Sequence, residues 1–195
     1  VLQASRNNNI NRLVYSSTSA CYGLTNVIPM HEDLKLDNLN PYSTSKLAGE
    51  DLCNMYTKLY GLETISLRYF NVFGERIQES GQYAPVIAIF QRQIREGDVV
   101  TVVGDGLQQR DFVYVKDVVN ANIIAAQSES RFCGEAYNVG SGESTTVIEI
   151  AKLLGKPYKH IDARIGESRI TKADITKIAS MGWTPTVFVK DWLSK

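Results

Sequence analysis

The sequence predicts an α/β fold organised around parallel strands, and three observations carry that prediction. Leu13-Val14-Tyr15-Ser16-Ser17 is a short apolar run that breaks into hydroxyl side chains, as a buried parallel strand does where its carboxyl end meets a ligand crevice. Pro41 to Gly61 follows with helical spacing. Beyond it, further strand-like and helix-like segments follow to the end of the chain.

The first helix is the best defined element. Asn40 can cap it, Pro41 suits its first position, and Gly61 ends it. Ala48, Leu52, Met55 and Leu59 recur at three- and four-residue spacings, a stripe expected to pack against a core. Tyr42 and Lys46, four residues apart, share one face. Taken alone, that pair also fits an ordinary amphipathic helix.

Composition narrows the function classes. With 195 residues, 44% of them hydrophobic, the chain can bury a substantial core. Its 21 basic and 21 acidic residues balance, which argues against a broad basic face and a nucleic-acid partner; an anion would be met by a few placed arginines. Cys21, Cys53 and Cys133 are odd in number and widely spaced, and are expected as buried free thiols of a reducing compartment. His31 and His160 stand far apart, so no metal is expected. No apolar run approaches a membrane span and no signal peptide is evident; the expectation is a cytoplasmic protein without a membrane partner.

The remaining elements follow in order. Val1 to Ser5 reads as the tail of a helix, so the chain is expected to open within a fold. Thr64 to Gly74 is a β-rich run closing on Asn71 and Gly74. Glu75 to Gln82 is a polar loop, and a helix with apolar positions at Pro85, Ile87, Ile89, Phe90 and Ile94 stops at Gly97-Asp98. Val99 to Val103 is a strand entering the Gly104-Asp105-Gly106 turn. Glu135 to Gly140 is a strand ending in the turn Gly140-Ser141-Gly142, which has neither the Lys-Ser/Thr ending of a nucleotide-triphosphate loop nor a dinucleotide spacing. Ser144 or Thr145 is expected to cap the next helix, through Leu154, and Lys172 to begin the last helical region.

Two motifs carry a resemblance. YSSTSACYG followed by NPYSTSKLAGE, and then RYFNVFG, resemble the extended short-chain dehydrogenase/reductase family in its nucleotide-sugar epimerase branch. The segment Arg110-Asp111-Phe112-Val113-Tyr114-Val115, the late Arg164-Ile165-Gly166-Glu167 and the ending Met181-Gly182-Trp183-Thr184-Pro185 resemble the same pattern. The fold this implies is a partial Rossmann-like doubly wound parallel sheet, its first strands missing, with a smaller α/β substrate-binding domain. Residues 1–75 and 107–130 would be the remnant of the NAD-binding domain, and 76–106 and 131–195 the sugar-nucleotide domain.

The resemblance implies roles residue by residue. Thr18 takes the hydroxyl position, Tyr42 transfers the proton, and Lys46 holds the cofactor ribose and tunes the tyrosine. A free phenol titrates near about 10, so a neighbouring ammonium must favour the phenolate for Tyr42 to act near neutrality. NAD is the implied cofactor, met by Ser16, Ser17, Tyr42, Lys46, Tyr69 and Phe70. A UDP-sugar would meet Thr18, Asn71, Tyr83, Ala84, Thr101, Val102 and Val103, with Arg110 and Arg164 on the diphosphate and Glu167 on the ribose. Arginine suits the diphosphate through its fixed fork of donors and permanent charge. Thr171 would wall the pocket beside the sugar's C2 substituent, and its small size would leave room for an N-acetyl group. A homodimer is the implied assembly.

The Gly-rich fingerprint of the family and its ribose-binding acid have no counterpart in these 195 residues. About a hundred residues, roughly a domain's worth, are therefore expected to be missing at the front. Three functions stay open. An NAD-dependent 4-epimerase fits best. A 4,6-dehydratase or decarboxylase is disfavoured because the related dehydratases carry an acid where this chain has Ala20. A sugar-nucleotide-binding fragment without activity is the third.

Overall fold

Three parallel strands form the largest sheet in the computed structural model, which describes residues 1–81, 84–163 and 168–194. After a short helix α1 (Leu2–Asn7), strand β1 (Arg12–Thr18) runs into a 3-10 turn at Ser19–Tyr22, and helix α2 (Pro41–Tyr60) returns the chain to β2 (Glu63–Tyr69). β1 and β2 pair in parallel along their whole length, from Arg12 opposite Glu63 to Thr18 opposite Tyr69. The α2 crossover makes that parallel pairing possible. β3 (Asn71–Phe73), helix α3 (Val86–Glu96), β4 (Val100–Val103), β5 (Gln109–Arg110), β6 (Phe112–Tyr114) and helix α4 (Val115–Gln127) follow. β7 (Ala136–Val139) then pairs in parallel with β2, giving the order β1-β2-β7.

The rest of the chain is β8 (Thr145–Thr146), α5 (Val147–Leu153), β9 (Tyr158–Ile161), α6 (Thr176–Ala179) and α7 (Val189–Leu193). β3 pairs with β6 and β4 with β9, both in parallel, and β5 with β8 antiparallel. The chain is thus an α/β fold built mainly on parallel pairing. Ala136–Val139, expected in the smaller region, instead completes the sheet of β1 and β2, because its backbone groups hydrogen-bond to Ser66–Tyr69.

Two hydrophobic cores result. One lies on the main sheet and joins Ile65, Leu67 and Val139 to Val118, Ala121 and Ala125 of α4, with Phe132, Ile178 and Trp183. The other joins β4, α3, α5 and α7 around Phe73, Phe90, Val102 and Ile150. A third, small cluster joins Tyr22, Met30, Phe70 and Ala173, and Met30 and Phe70 reach the candidate site.

Several local expectations are met. Asn40 caps α2, its side chain accepting from the Ser43 backbone N–H, and Gly61 closes the helix in the left-handed conformation at φ 71°. Gly97 closes α3 in the same way. Others are corrected. The stripe of Ala48, Leu52, Met55 and Leu59 does not face a core: Leu52 and Leu59 are 48% and 65% exposed. The buried face of α2 carries Ser43, Glu50 and Cys53 instead. The cap of α5 is Thr146, one residue later than expected, in a reciprocal pair of hydrogen bonds with Glu149. No helix begins at Lys172; α6 starts at Thr176, and Lys172 to Asp174 run extended beside Met30. Cys133 is exposed while Cys21 and Cys53 are buried.

Candidate active site

α2 aims its inner face at the carboxyl end of β1. Lys46 donates from Nζ to the Ser16 carbonyl at 2.9 Å, and its ammonium lies 6.0 Å from the centroid of the Tyr42 ring. Gly49, one turn from Lys46, lets α2 approach closely, since a β-carbon there would sit 2.1 Å from the Tyr15 hydroxyl. That hydroxyl in turn donates to the Lys46 carbonyl at 3.3 Å. Burial, with Cys53 and Glu50 nearby, raises the Tyr15 phenol above its ordinary range, so it serves as a neutral donor.

The same helix face continues to Glu50, eight residues after Tyr42. Glu50 is buried and paired with Arg68 of β2, Nη2 to Oε2 at 2.7 Å and Nε to Oε1 at 3.0 Å. Ser17 also donates to Glu50, so its hydroxyl is turned into the core. Arg68 reaches on to the Tyr22 hydroxyl at 3.0 Å, and Tyr22 donates to Asn138 at 2.7 Å. Burial alone would pull the Arg68 guanidinium down. Its bonds to Glu50, with Tyr22 and Cys21 alongside, hold it above its ordinary value instead. This network ties α2, β1, β2, β7 and the turn after β1 into one support.

Two adjoining chambers open beside it. The larger, of about 490 Å³, is walled by Tyr42, Asn71, Ala84, Val103, Gln108 and Arg110, among others. The smaller, of about 250 Å³, is walled by Thr18, Met30, Tyr69, Ser168 and Thr171 among others. Ala20, Asn40, Phe70, Asn71 and Arg110 line both. The structure therefore brings Thr18, Tyr42, Phe70, Asn71, Ala84, Val103, Arg110 and Thr171 around one divided cavity.

Individual partners refine the picture. Arg110 donates from Nη1 to the carbonyls of Gln109 and Ser168, at 2.9 and 2.8 Å, which holds it at the junction of the chambers. Thr18 accepts from the Ala20 backbone N–H at 3.2 Å, so its hydroxyl hydrogen points elsewhere. The Ser16 hydroxyl meets that of Tyr69 at 3.0 Å, which donates to Asn122. Thr101 and Val102 do not line either chamber: Thr101 is bound to Gln93 of α3 through its hydroxyl and its backbone N–H, and Val102 lies in the second core. Tyr83, Arg164 and Glu167 lie outside the described residues.

Sequence reasoning passed over Asn40, Gln108 and the apolar wall of Val86, Ile89 and Val147. Only Asn40 carried a signal, as the cap next to Tyr42. The Glu50 contact was readable as a third member of the Tyr42, Lys46 series at four-residue spacing. Its partner Arg68 lay in the strand motif itself.

The model of the NAD dependent epimerase/dehydratase family matches residues 1–140. A putative UDP-glucose 4-epimerase of Methanocaldococcus jannaschii is 35% identical over 206 residues, covering 100% of this chain and 65% of the relative. The solved UDP-N-acetylglucosamine 4-epimerase of Methanobrevibacter ruminantium, in complex with UDP-N-acetylmuramic acid, is similar at TM-score 0.92 and 33% identity, over 98% of this chain and 63% of that one. The UDP-glucose 4-epimerase of Thermotoga maritima, with UDP-glucose, is similar at TM-score 0.91 and 34% identity, over 99% and 64%. The chain thus spans a little under two thirds of the length of these proteins. The matched motifs include both the Tyr42 and Lys46 helix and the Arg68 to Gly74 strand, and the chain belongs to the NAD dependent epimerase/dehydratase family.

Proposed function

We propose that the intact protein is an NAD-dependent nucleotide-sugar 4-epimerase acting on UDP-hexoses, through Thr18, Tyr42 and Lys46. The observation that carries this reading is the placement of Tyr42 on the wall of the larger chamber with the Lys46 ammonium 6.0 Å from its ring. NAD, when bound, supplies the acceptor and later the donor of a hydride at the sugar C4. Lys46, Ser16 and Tyr69 form a fixed polar group beside Phe70, which suits the nicotinamide and ribose end. Tyr42 takes the proton of the 4-hydroxyl and returns it once the sugar has presented its other face. Thr18 hydrogen-bonds the reacting oxygen, while Arg110 and Asn71 hold the nucleotide as the sugar turns. Arg164 and Glu167 are assigned to the diphosphate and ribose on their motif alone.

Epimerisation is favoured over elimination of water by the chamber walls. Among the described residues neither chamber is lined by Asp or Glu, and Ala20 lines both, so a dehydratase's acid has no counterpart. Tyr42→Phe in the full-length protein is expected to lower kcat by orders of magnitude with UDP-sugar affinity nearly unchanged. An unchanged kcat overturns the assignment. Arg110→Ala should instead weaken UDP binding in calorimetry.

The 195 residues alone are expected to bind UDP but to bind NAD poorly, since they contain no glycine fingerprint for its pyrophosphate. Micromolar NAD binding by this chain would contradict that. A homodimer is part of the proposal, supported by the outward apolar stripe of α2.

A further inference from the structure

Tyr15 lines neither chamber, yet it meets Lys46 at both the backbone and the tip of the side chain. Successive residues of β1 point to opposite faces of the sheet. Val14 packs on the core of the main sheet, so Tyr15 and Ser17 turn to α2. The Tyr15 hydroxyl donates to the Lys46 carbonyl at 3.3 Å. The centroid of the same ring lies 5.6 Å from the Lys46 ammonium, within the range at which an aromatic face attracts a cation. Ser16, the next residue, offers its carbonyl to that ammonium at 2.9 Å.

The fit leaves the ring little freedom. A β-carbon at Gly49 would fall 2.1 Å from the Tyr15 hydroxyl and 2.3 Å from the ring carbon that bears it, so the hydroxyl end of the ring is seated against the turn from Lys46 to Gly49. The lysine is the mobile partner. Its four-carbon stem is flexible, and a single hydrogen bond to the Ser16 carbonyl lets the ammonium pivot about that contact. The Tyr15 ring supplies a second, non-directional contact. Two tyrosine rings thus approach one ammonium, Tyr15 at 5.6 Å and Tyr42 at 6.0 Å.

We infer that Tyr15 is a positioning residue for the proposed reaction: its ring face keeps the Lys46 ammonium beside Tyr42, while its hydroxyl fastens α2 to β1 at Lys46. The inference rests on the nucleotide-sugar reading. It adds a strand residue outside the Tyr42 and Lys46 motif to the groups on which turnover depends. An ammonium that swings away from Tyr42 is lost to the proton transfer for as long as it is away. The rate of the chemical step then falls, while UDP, held by other residues, still binds. The ring face carries this effect, and the hydroxyl carries stability.

The test compares Tyr15→Phe, which keeps the ring and drops the hydroxyl, with Tyr15→Leu, which drops both, in the intact protein. For UDP-glucose or UDP-N-acetylglucosamine, whichever it turns over, kcat and KM are measured below each unfolding midpoint and normalised to bound NAD. The Lys46 ε-methylene resonance is followed by NMR in protein labelled at lysine Cε and assigned with Lys46→Met. Tyr15→Leu is expected to lower kcat about tenfold with KM unchanged, and to move the Lys46 resonance to lower field as the ring current is lost. Tyr15→Phe is expected to keep kcat within about twofold and the resonance in place, although its midpoint falls with the lost hydrogen bond. A merely structural Tyr15 would lower both midpoints and leave kcat per active site unchanged, which overturns the role. So does an equal loss of kcat in both variants, a rise in KM in place of the fall in kcat, or a fall in kcat with the Lys46 resonance unmoved. Should Tyr15→Leu fail to fold, Tyr15→Met, an adaptable apolar filler without a ring, is read in its place by the same criteria. A wild type that turns over neither sugar overturns the nucleotide-sugar reading, and this role with it; an active wild type with an unaffected Tyr15→Leu overturns this role alone.

Discussion

Burial decides the chemistry of single side chains here. Cys21 and Cys53 are pushed up to about 11 by desolvation, with Glu50 adding to the shift in both. Cys21 also donates its thiol to the Thr18 carbonyl at 2.9 Å. Because the thiolate is the reactive form, both should resist a thiol reagent at pH 8, and exposed Cys133 should react alone. Ellman titration is expected to count one fast thiol in the folded chain and three in denaturant; two fast thiols would contradict the packing around Glu50. That carboxylate carries a second expectation. Glu50→Gln leaves Arg68 buried without its counter-charge, so about 3–5 kcal/mol of stability should be lost. Glu50→Leu with Arg68→Met should recover much of it, because apolar replacement of a buried pair is often neutral. Urea unfolding of the three proteins checks the order, and a double variant weaker than Glu50→Gln would refute it.

At the scale of elements, the ends of α2 and the stop of α3 were legible and the buried face of α2 was not. Asn40, Pro41, Gly61 and Gly97 set helix limits through local backbone chemistry, which sequence displays directly. The orientation of α2 depends on partners far along the chain. Its buried face holds Ser43, Gly49, Glu50 and Cys53, polar or small because it meets Tyr15, Ser17 and Arg68, so hydropathy alone selects the opposite face. The Tyr42 and Lys46 spacing and the RYFNVFG strand were legible as a site. Asp111 and the path of Ser168–Asp174 were not, since their partners lie about 30 to 60 residues away. Gly49 marks the tightest contact of α2. Gly49→Ala should raise helix propensity by about 1 kcal/mol yet destabilise the chain by about 1–3 kcal/mol net, because the added carbon would meet the Tyr15 hydroxyl at 2.1 Å. Chemical denaturation measures the sign. A gain in stability would show that β1 and α2 can separate at no cost.

For the whole molecule, a small cluster of Tyr22, Met30, Phe70 and Ala173 stands apart from the two larger cores, with Met30 and Phe70 lining the cavity, and the outer face of α2 stays apolar. Leu52, Met55 and Leu59 are 48%, 38% and 65% exposed. They lie three and four residues apart, hence on one face, on the side of α2 away from Glu50 and Lys46. An isologous contact places the same stripe of two copies face to face, so a single helix can bury its own exposed leucines in a homodimer. Charge on that stripe should break the proposed dimer without reaching the cavity, because no stripe residue lines either chamber. Leu52→Lys with Leu59→Lys is therefore expected to sediment as a monomer at concentrations where the wild type is dimeric, with UDP affinity unchanged. A wild type that sediments as a monomer throughout refutes the dimer. A charged variant that remains dimeric moves the interface off α2, and one that dissociates and also loses UDP binding shows that the cavity depends on the second copy.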